Sequence, residues 1–317
     1  LSRSGADVVG FSIGDFDSIN KTARVAGIEL VRVARTIDPL LFELNARGAP
    51  NGHVPVTAIT STLACIAALG IGADAVVMSN ERSADEPTRV VADIEVNHQW
   101  SKSWEAEKLL RLALDSSGCG IEYFSLLRSL SEYEIFSIFS HCDEFHTVFT
   151  SCNRTFRIDE TQRASTWCAD CDKCRFVFLG LSAFRGVTYA SNIFGVNMFD
   201  DESQKQGFLD LLGMSDTKPF ECVGTVRESR MLVRNALKWD AAADSVMGKT
   251  LTDALVEVNT LDEKVPVTSF GDYIPEDLQK NILEIQVEQY KEHLVSHLSD
   301  QTIGVMGLGR DTSAMIR

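Results

Sequence analysis

The sequence predicts an α/β protein in which helices cross over between the strands of a parallel sheet. Apolar runs of strand length occur at 7–14 (DVVGFSIG) and 74–79 (DAVVMS), and 56–70 (VTAITSTLACIAALG) between them has the composition of a buried helix. Strand, helix and strand at this spacing are typical of parallel sheets. A chain of 317 residues with 44% hydrophobic residues can bury one large or two medium cores.

The N-terminal half supplies the predicted sheet. Residues 1–5 have the pattern of a last helical turn closed by glycine, so we expect the sequence to begin within a β-α-β unit. The helix that follows Pro55 is expected to end at Gly70 or Gly72. The predicted strands are 7–14, 28–35, 74–79 and 122–127.

The second half is predicted to be mainly helical. Ser131 is expected to cap the first of these helices, and Glu134 completes the Ser-x-x-Glu pattern of a capping box. An amphipathic helix is also predicted at 104–114 in the N-terminal half. The helices predicted after residue 130 are 131–142, 175–184, 202–213, 226–239 and 275–298.

The charge of the chain excludes one class of partner. The formal net charge is −15, and an acidic surface repels phosphate backbones, so we expect no nucleic-acid partner. No apolar run is long enough to span a membrane and no secretory signal is visible, so we expect no membrane partner and a cytoplasmic location. Eight cysteines in such a chain are not expected to form structural disulfides.

Half of the cysteines lie in one segment, 151–174 (SCNRTFRIDETQRASTWCADCDKC). Three thiolates in a C-x2-C-x2-C run, with a fourth sixteen positions before them, match the closed tetrahedron of a structural zinc site. A redox dithiol needs only two cysteines, whereas an iron–sulfur cluster also takes four. A closed site leaves no position for substrate, so the metal is expected to pin the chain and perform no chemistry. The predicted ligands are Cys152, Cys168, Cys171 and Cys174.

The turn around the cysteines is expected to lie near the surface. The observation behind this expectation is that three charged residues, Asp170, Asp172 and Lys173, alternate with the cysteines.

Three polar clusters follow strand ends or precede helices, where α/β sheets build their sites. They are 51–53 (NGH), 79–83 (SNERS) and 96–103 (VNHQWSKS). Each has a structural alternative: a turn, a solvated loop and an N-capping segment. Three such clusters within about fifty residues favour a binding or catalytic site.

The same segments resemble one enzyme family, the UDP-N-acetylmuramoyl-L-alanyl-L-glutamate epimerases (MurL). The resemblance extends over about residues 7–225 and is specific in its motifs. The runs that carry it are 51–59 (NGHVPVTAI), 78–84 (MSNERSA), 96–103, 151–153 (SCN), 167–179 (WCADCDKCRFVFL) and 218–224 (KPFECVG).

The resemblance implies a fold and a reaction. The fold is that of the PP-loop ATP pyrophosphatases, or adenine nucleotide alpha hydrolase-like proteins, whose 7-cyano-7-deazaguanine synthases carry a comparable four-cysteine zinc site. The implied reaction uses ATP and Mg2+ to convert the terminal L-Glu of UDP-MurNAc-L-Ala-L-Glu to D-Glu for peptidoglycan synthesis, releasing AMP and pyrophosphate. The family's S-G-G-x-D-S phosphate loop, which precedes the helix ending near residue 5, is not in this sequence.

Candidate acids and bases come from the polar clusters and from the chemistry of their side chains. His98 is the first choice, because histidine titrates in the useful range; His53, Glu81 and Lys102 are the alternatives, and Cys222 is a further candidate thiol. Lys102 is also a candidate counter-charge for phosphate or carboxylate groups. The residues predicted to contact the nucleotide or the substrate's anionic groups are Asn51, Gly52, Ser79, Asn80, Arg82, Arg128 and Arg154.

Four segments are predicted along the chain: an α/β nucleotide-binding core (1–150), a zinc-stapled part (151–225), a helical region (226–302) and a tail (303–317). The tail (IGVMGLGRDTSAMIR) has the pattern of a strand, a G-x-G turn and a helix start, as in the opening of the Mur ligases. It therefore predicts fusion or functional coupling to a Mur ligase.

Two other functions compete with the epimerase. One is a PP-loop ligase similar to the 7-cyano-7-deazaguanine synthases, against which the acidic chain and the NGHVPVTAI and SNERSA motifs argue. The other is a non-catalytic, zinc-stapled binding module, which the missing phosphate loop favours.

Overall fold

The computed structural model describes most of the chain. The described residues are 1, 6–50, 54–157, 160–215, 219, 221–258 and 274, together with the backbone of 313–316. The predicted turn at 2–5, the cluster at 51–53 and the helix predicted at 275–298 lie outside them.

The described residues form alternating strands and helices in the first half and mainly helices in the second. The strands are β1 (Val8–Ile13), β2 (Glu29–Val33), β3 (Ala75–Met78), β4 (Arg89–Val91), β5 (Ile94–Val96), β6 (Glu122–Ser125) and β7 (Ser313–Ile316). The helices of the first half are α1 (Asp17–Ala26), α2 (Pro39–Ala46), α3 (Val56–Ile71), α4 (Trp104–Ser117), α5 (Glu132–Phe139) and α6 (Asp143–His146). Those of the second half are α7 (Asp172–Arg185), α8 (Val187–Phe194), α9 (Lys205–Leu211), α10 (Val226–Ala236), α11 (Asp240–Ala243) and α12 (Val246–Glu257).

Within the described residues, five strands form one mixed sheet in the order β2-β1-β7-β3-β6. β1 pairs with β2 and β3 pairs with β6, both in parallel, which confirms the predicted parallel arrangement in part. β7 lies between the two pairs and is antiparallel to both neighbours, so the sheet is not wholly parallel. The sequence predicted a helix start in this segment and was wrong there, because the backbone groups of β1 and β3 that face each other find their partners in β7.

Local sequence signals place several helix ends correctly. α3 ends before Gly72, whose left-handed φ of 71° is easy for glycine. The predicted capping box of α5 is present: the Ser131 hydroxyl accepts from the Glu134 N–H, and the Glu134 carboxylate accepts from the Ser131 N–H. α7 begins at Asp172, three residues earlier than predicted.

The sequence did not predict the β4–β5 hairpin. Its two-residue turn is Ala92-Asp93, with φ values of 49° and 61°. Such turns usually carry Asn-Gly or Asp-Gly, and this pair lacks that signal.

Three cores hold the described structure together. One lies under the sheet, where Phe11 and Val76 pack against the Ala64 and Ala68 face of α3. The largest core surrounds α7, from Phe176 to Ala183, and includes Phe136 of α5, whose ring meets that of Phe176 edge to face at 5.4 Å. The third core packs Val77 and Phe124 of the sheet with Ile138 of α5, so α5 connects the sheet to the helical part. Among the described helices, none has the length and apolar character that a bilayer crossing requires.

Candidate functional site

The four predicted cysteine ligands converge in one cluster. Their sulfur atoms all lie within 4.8 Å of one another. The Cys174 sulfur is 3.5 Å from that of Cys171 and 3.7 Å from that of Cys168. Zinc–sulfur bonds of about 2.3 Å in a tetrahedron require sulfur–sulfur edges of about 3.8 Å. The donor set and its spacing therefore fit a metal ion such as zinc.

Two chain segments carry these ligands. Cys152 begins a turn in which the Thr155 N–H donates to the Cys152 carbonyl, while Cys171 caps α7 and Cys174 lies in its first turn. Ala169, between Cys168 and Cys171 in the second segment, has a left-handed φ of 51°. An ion pair of 2.7 Å joins Arg154 in the Cys152 turn to Asp170. The cluster and this ion pair thus tie the loop after α6 to the start of α7.

Hydrogen bonds between the cysteine thiols hold protons that a divalent cation would displace. Hydrogen bonds with the side chains of Cys171 and Cys174 lower the pKa of Cys152 far below its usual value. The same hydrogen bonds, with burial, raise the pKa of Cys171 to about 12 and that of Cys174 as well. A divalent cation in place of the shared protons would hold the sulfurs as thiolates.

The expectation that the whole turn lies at the surface was wrong for one residue. Asp170 is exposed, but the side chain of Lys173 is only 8% exposed. Because α7 starts at Asp172, Lys173 belongs to the helix, and its side chain turns toward the interior.

A cavity of about 130 Å³ lies beside the cluster, at the carboxyl ends of β3 and β6. Its volume suits a group of roughly the size of one amino-acid side chain. Aromatic rings of α5, α6 and α7 form much of its wall. The polar residues that line it are Ser18, Thr22, Ser79, Glu81, Glu132, Thr150, Ser151, Lys173 and Cys222.

Three of the predicted candidates line this cavity: Ser79, Glu81 and Cys222. Ser79 follows the last residue of β3, and Glu81 is buried two residues further on. Carboxyl ends of parallel strands are where open α/β sheets place their sites. The structure thus brings a hydroxyl, a carboxylate and a thiol to one cavity.

Lys102 reaches this group through Cys222. Its side chain is buried, and its ammonium nitrogen lies 3.7 Å from the Cys222 sulfur. Lys102 ends a short 3-10 turn (Trp100–Lys102) just before α4. The contact joins residues 120 positions apart in the chain.

Arg128 makes its contacts inside the protein. Its guanidinium donates to the buried Glu107 carboxylate at 2.8 Å and to the backbone carbonyls of Lys102 and Glu81. Glu107 also accepts from the Ser125 N–H at the end of β6. These bonds give Arg128 a role in positioning Glu81 and Lys102, and its predicted contact with a ligand remains a prediction.

Other predicted residues lie apart from the cavity lining. The His98 ring hydrogen-bonds through Nδ1 to Thr88 at the base of the β4–β5 hairpin. Asn80 is buried and donates to the Ser125 hydroxyl at 3.0 Å, which ties the ends of β3 and β6. Arg82 lies 3.9 Å from Glu134, and Arg154 pairs with Asp170. Asn51, Gly52 and His53 lie outside the described residues.

Sequence reasoning missed Lys173, Glu132 and Ser18 of the cavity lining. The sequence did contain a signal for Lys173, and it was misjudged. Its position between two of the ligand cysteines at the start of α7 constrains the direction of its side chain. Glu132 and Ser18 lie in the first turns of α5 and α1, where polar residues are common for capping alone.

The fold and site define a class of α/β protein whose helical part carries four cysteines arranged as in a metal site. A cavity lies at the carboxyl ends of strands of its sheet. Two family models match the chain: the MurL N-terminal domain at residues 1–126 and the MurL C-terminal domain at residues 148–265. The chain belongs to the MurL family. No solved structure matches it.

Three curated relatives carry the name UDP-N-acetyl-alpha-D-muramoyl-L-alanyl-L-glutamate epimerase. The protein of Micromonospora sp. is 45% identical over 81% of this chain, and that of Salinispora tropica is 42% identical over 81%. The protein of Xanthomonas oryzae pv. oryzae is 39% identical over 84%. The chain spans 57%, 56% and 59% of the length of these relatives, respectively.

Proposed function

We propose that this chain is part of an ATP-dependent epimerase that converts the terminal L-Glu of UDP-MurNAc-L-Ala-L-Glu to D-Glu. The observation that carries the proposal is its 39–45% identity to three relatives of that name over most of its length. The product would enter peptidoglycan synthesis in the cytoplasm, with coupling to a Mur ligase as a further part of the proposal.

The chemistry explains why an epimerase would consume ATP. Removal of the α-proton next to a free carboxylate would place a second negative charge beside the first. Converting the α-carboxylate to an acyl-adenylate, with release of pyrophosphate, removes that charge and makes the α-proton more acidic. An enolate-stabilising environment then lowers the barrier further. Return of a proton to the opposite face and hydrolysis release the D-Glu product and AMP.

The cavity supports this chemistry by its size and its groups. It suits a glutamyl side chain better than the much larger nucleotide, which we place outside it. Glu81, on the cavity wall, and Lys102, through Cys222, are the acid–base candidates that the geometry favours. His98 and His53 remain proposed acids or bases for proton transfer at the opposite face of the glutamate Cα.

The remaining parts of the proposal concern the cofactors. Zinc at the four cysteines would be structural, because four thiolates close its coordination sphere. Mg2+ would accompany the ATP phosphates. The residues proposed to meet the nucleotide's or substrate's anionic groups are Asn51, Gly52, Ser79, Asn80, Arg82, Arg128 and Arg154.

The test uses the full-length protein in D2O with ATP, Mg2+ and UDP-MurNAc-L-Ala-L-Glu. Mass spectrometry follows deuterium at the glutamate Cα, with reactions lacking ATP as the control. We expect incorporation only when ATP is present, together with AMP and pyrophosphate. Absence of incorporation in a protein with its metal bound would refute the epimerase and direct the search to nucleobase acids, as for a PP-loop ligase.

A further inference from the structure

The loop that carries the first cysteine of the metal cluster also binds a segment distant in the sequence. Asn153 directly follows Cys152, and its Nδ2 group donates to both carboxylate oxygens of Glu221, each at 2.7 Å. Hydrogen bonds to a carboxylate are stronger than those between neutral groups. The bonds join residues 68 positions apart, so they connect the cluster to the segment around Glu221.

A tight turn follows Glu221 and has Cys222 at its centre. The Val223 N–H donates to the Glu221 carbonyl at 2.9 Å, which closes the turn. Val223 is 1% exposed and belongs to the core around α7. The turn is therefore anchored at one end by the side chain of Glu221 and at the other by Val223.

Cys222, between these two anchors, faces the candidate site. Its sulfur lies 3.7 Å from the Lys102 ammonium, and the residue lines the cavity. A turn that is held at both ends restricts the movement of this thiol relative to Lys102. Loss of the bond between Asn153 and Glu221 would free one end of the turn.

We propose that Asn153 is a positioning residue, which acts through Glu221 to keep the Cys222 thiol in contact with Lys102. This role rests on the proposed function, since it concerns the reaction for which Lys102 and Cys222 are candidates. It gives the metal cluster a part in the geometry of the site. The alternative is a bond that only stabilises the fold, and its loss would leave the thiol and the ammonium in contact in the folded protein.

The experiment reverses the hydrogen bond in the full-length protein. Asn153→Asp has the shape of asparagine but no N–H donor, and its carboxylate repels that of Glu221. Addition of Glu221→Gln restores a bond of opposite direction, from the glutamine amide to the aspartate. Glu221→Ala removes the bond from the other side. Asn197→Asp, which breaks an exposed bond from Asn197 to Asp200, is the matched control.

Two readouts are compared, and the metal content and thermal unfolding of each protein are measured beside them. The first is the yield of a crosslink between Lys102 and Cys222, followed by peptide mass spectrometry. Succinimidyl iodoacetate forms it, because this short reagent joins an amine and a thiol that are neighbours. The crosslink needs no turnover, so it tests the contact independently of the reaction. The second readout is kcat and KM for ATP-dependent deuterium incorporation into UDP-MurNAc-L-Ala-L-Glu.

We expect the wild type to form the crosslink. Asn153→Asp and Glu221→Ala should each lower its yield several-fold. They should also lower kcat by roughly 10- to 100-fold with little change in KM, because a displaced group reacts poorly. The double variant Asn153→Asp/Glu221→Gln should recover most of the yield and of kcat. Asn197→Asp should match the wild type, and the metal content should be the same in all proteins.

Three results would overturn the proposal. They are a wild type that forms no crosslink, variants with wild-type crosslinking and kcat, and a loss in Asn153→Asp that the double variant does not restore. The last result would assign the loss to the new charge beside the metal. If Asn153→Asp does not fold or loses its metal, Glu221→Ala decides, because it leaves the metal loop unchanged. Crosslinking in the expected order without deuterium incorporation by the metal-loaded wild type would refute the epimerase and support the positioning of Cys222.

Discussion

The ammonium of Lys102 lies 3.7 Å from the sulfur of Cys222. Lys102 belongs to the part matched by the MurL N-terminal model and Cys222 to the part matched by the C-terminal model. Because Cys222 lines the cavity, the contact joins the two parts at the candidate site. The cavity is thus built from both halves.

The first prediction concerns this pair. If Cys222 takes part in proton transfer, Cys222→Ala should lower ATP-dependent deuterium incorporation by roughly 10²-fold, the usual effect of losing an acid or base. Lys102→Met should have a comparable effect. The double variant should lower deuterium incorporation little further than either single variant, because the two groups act together. Cys119→Ala, a thiol outside the cavity lining, is the control. Wild-type incorporation by Cys222→Ala would exclude a catalytic role.

The second prediction concerns the metal. Purified protein should contain one zinc per chain, and Cys174→Ser should lose it, because a neutral hydroxyl replaces a thiolate ligand. Loss of the ion should lower the free energy of unfolding by several kcal/mol, since metal binding is coupled to folding. Cys65→Ser, a buried cysteine of the sheet core, should keep its zinc. Iron with visible absorption in place of zinc would instead identify an iron–sulfur cluster.

The third prediction separates the two roles of Arg128. Its side chain is 11% exposed and pairs with Glu107, which is 3% exposed. Arg128→Met leaves that carboxylate buried without its cation, so the free energy of unfolding should fall by about 3–5 kcal/mol without any ligand. Arg47→Met breaks an exposed pair with Glu43 and should cost less than about 1 kcal/mol. Unchanged stability together with weakened ATP binding would instead support the predicted role of Arg128 in binding the ligand.

The fourth prediction concerns the contact between α7 and α5. A Cβ on Gly180 would overlap the Phe136 ring, so Gly180→Ala should destabilise the protein by about 1–3 kcal/mol in urea unfolding. Gly70, within α3, has no neighbouring atom within 4 Å of such a Cβ. Gly70→Ala should therefore stabilise by about 0.5–1 kcal/mol. Effects of the same sign in both variants would contradict the packing described here.

The fifth prediction is a pH dependence centred on His146. The ring is fully buried, and its Nε2 donates to the Phe139 carbonyl while Nδ1 accepts from the Tyr189 hydroxyl. Burial is the main cause that lowers the pKa of His146 below 6.5. The unfolded chain therefore binds the proton more readily, and stability should fall as the pH drops below about 6.5.

The measurement for His146 is urea unfolding between about pH 7.5 and 5. His146→Gln should be less stable at pH 7.5 but should lose less stability on acidification than the wild type. His141→Gln, on an exposed histidine, is the matched control and should keep the wild-type slope. An identical slope for all three proteins would show that His146 does not titrate between the two states.

The local features and the family could be predicted from the amino-acid sequence alone. The apolar runs predicted β1, β2, β3 and β6, because strand-length apolar segments bounded by glycine and polar residues have few other conformations. The capping box of α5 is a short-range signal of the same kind. The four cysteines could be grouped because metal-ligand spacing is written along the chain.

Which distant groups meet depends on the packing of the whole fold. The insertion of antiparallel β7 between β1 and β3, and the contact of Lys102 with Cys222, join segments far apart in sequence. The histidine chosen first from the sequence, His98, lies at a hairpin base, whereas Lys173 turns into the cavity. Side-chain chemistry is a property of the residue, but direction and burial depend on the packing of several elements, and no single segment contains that information.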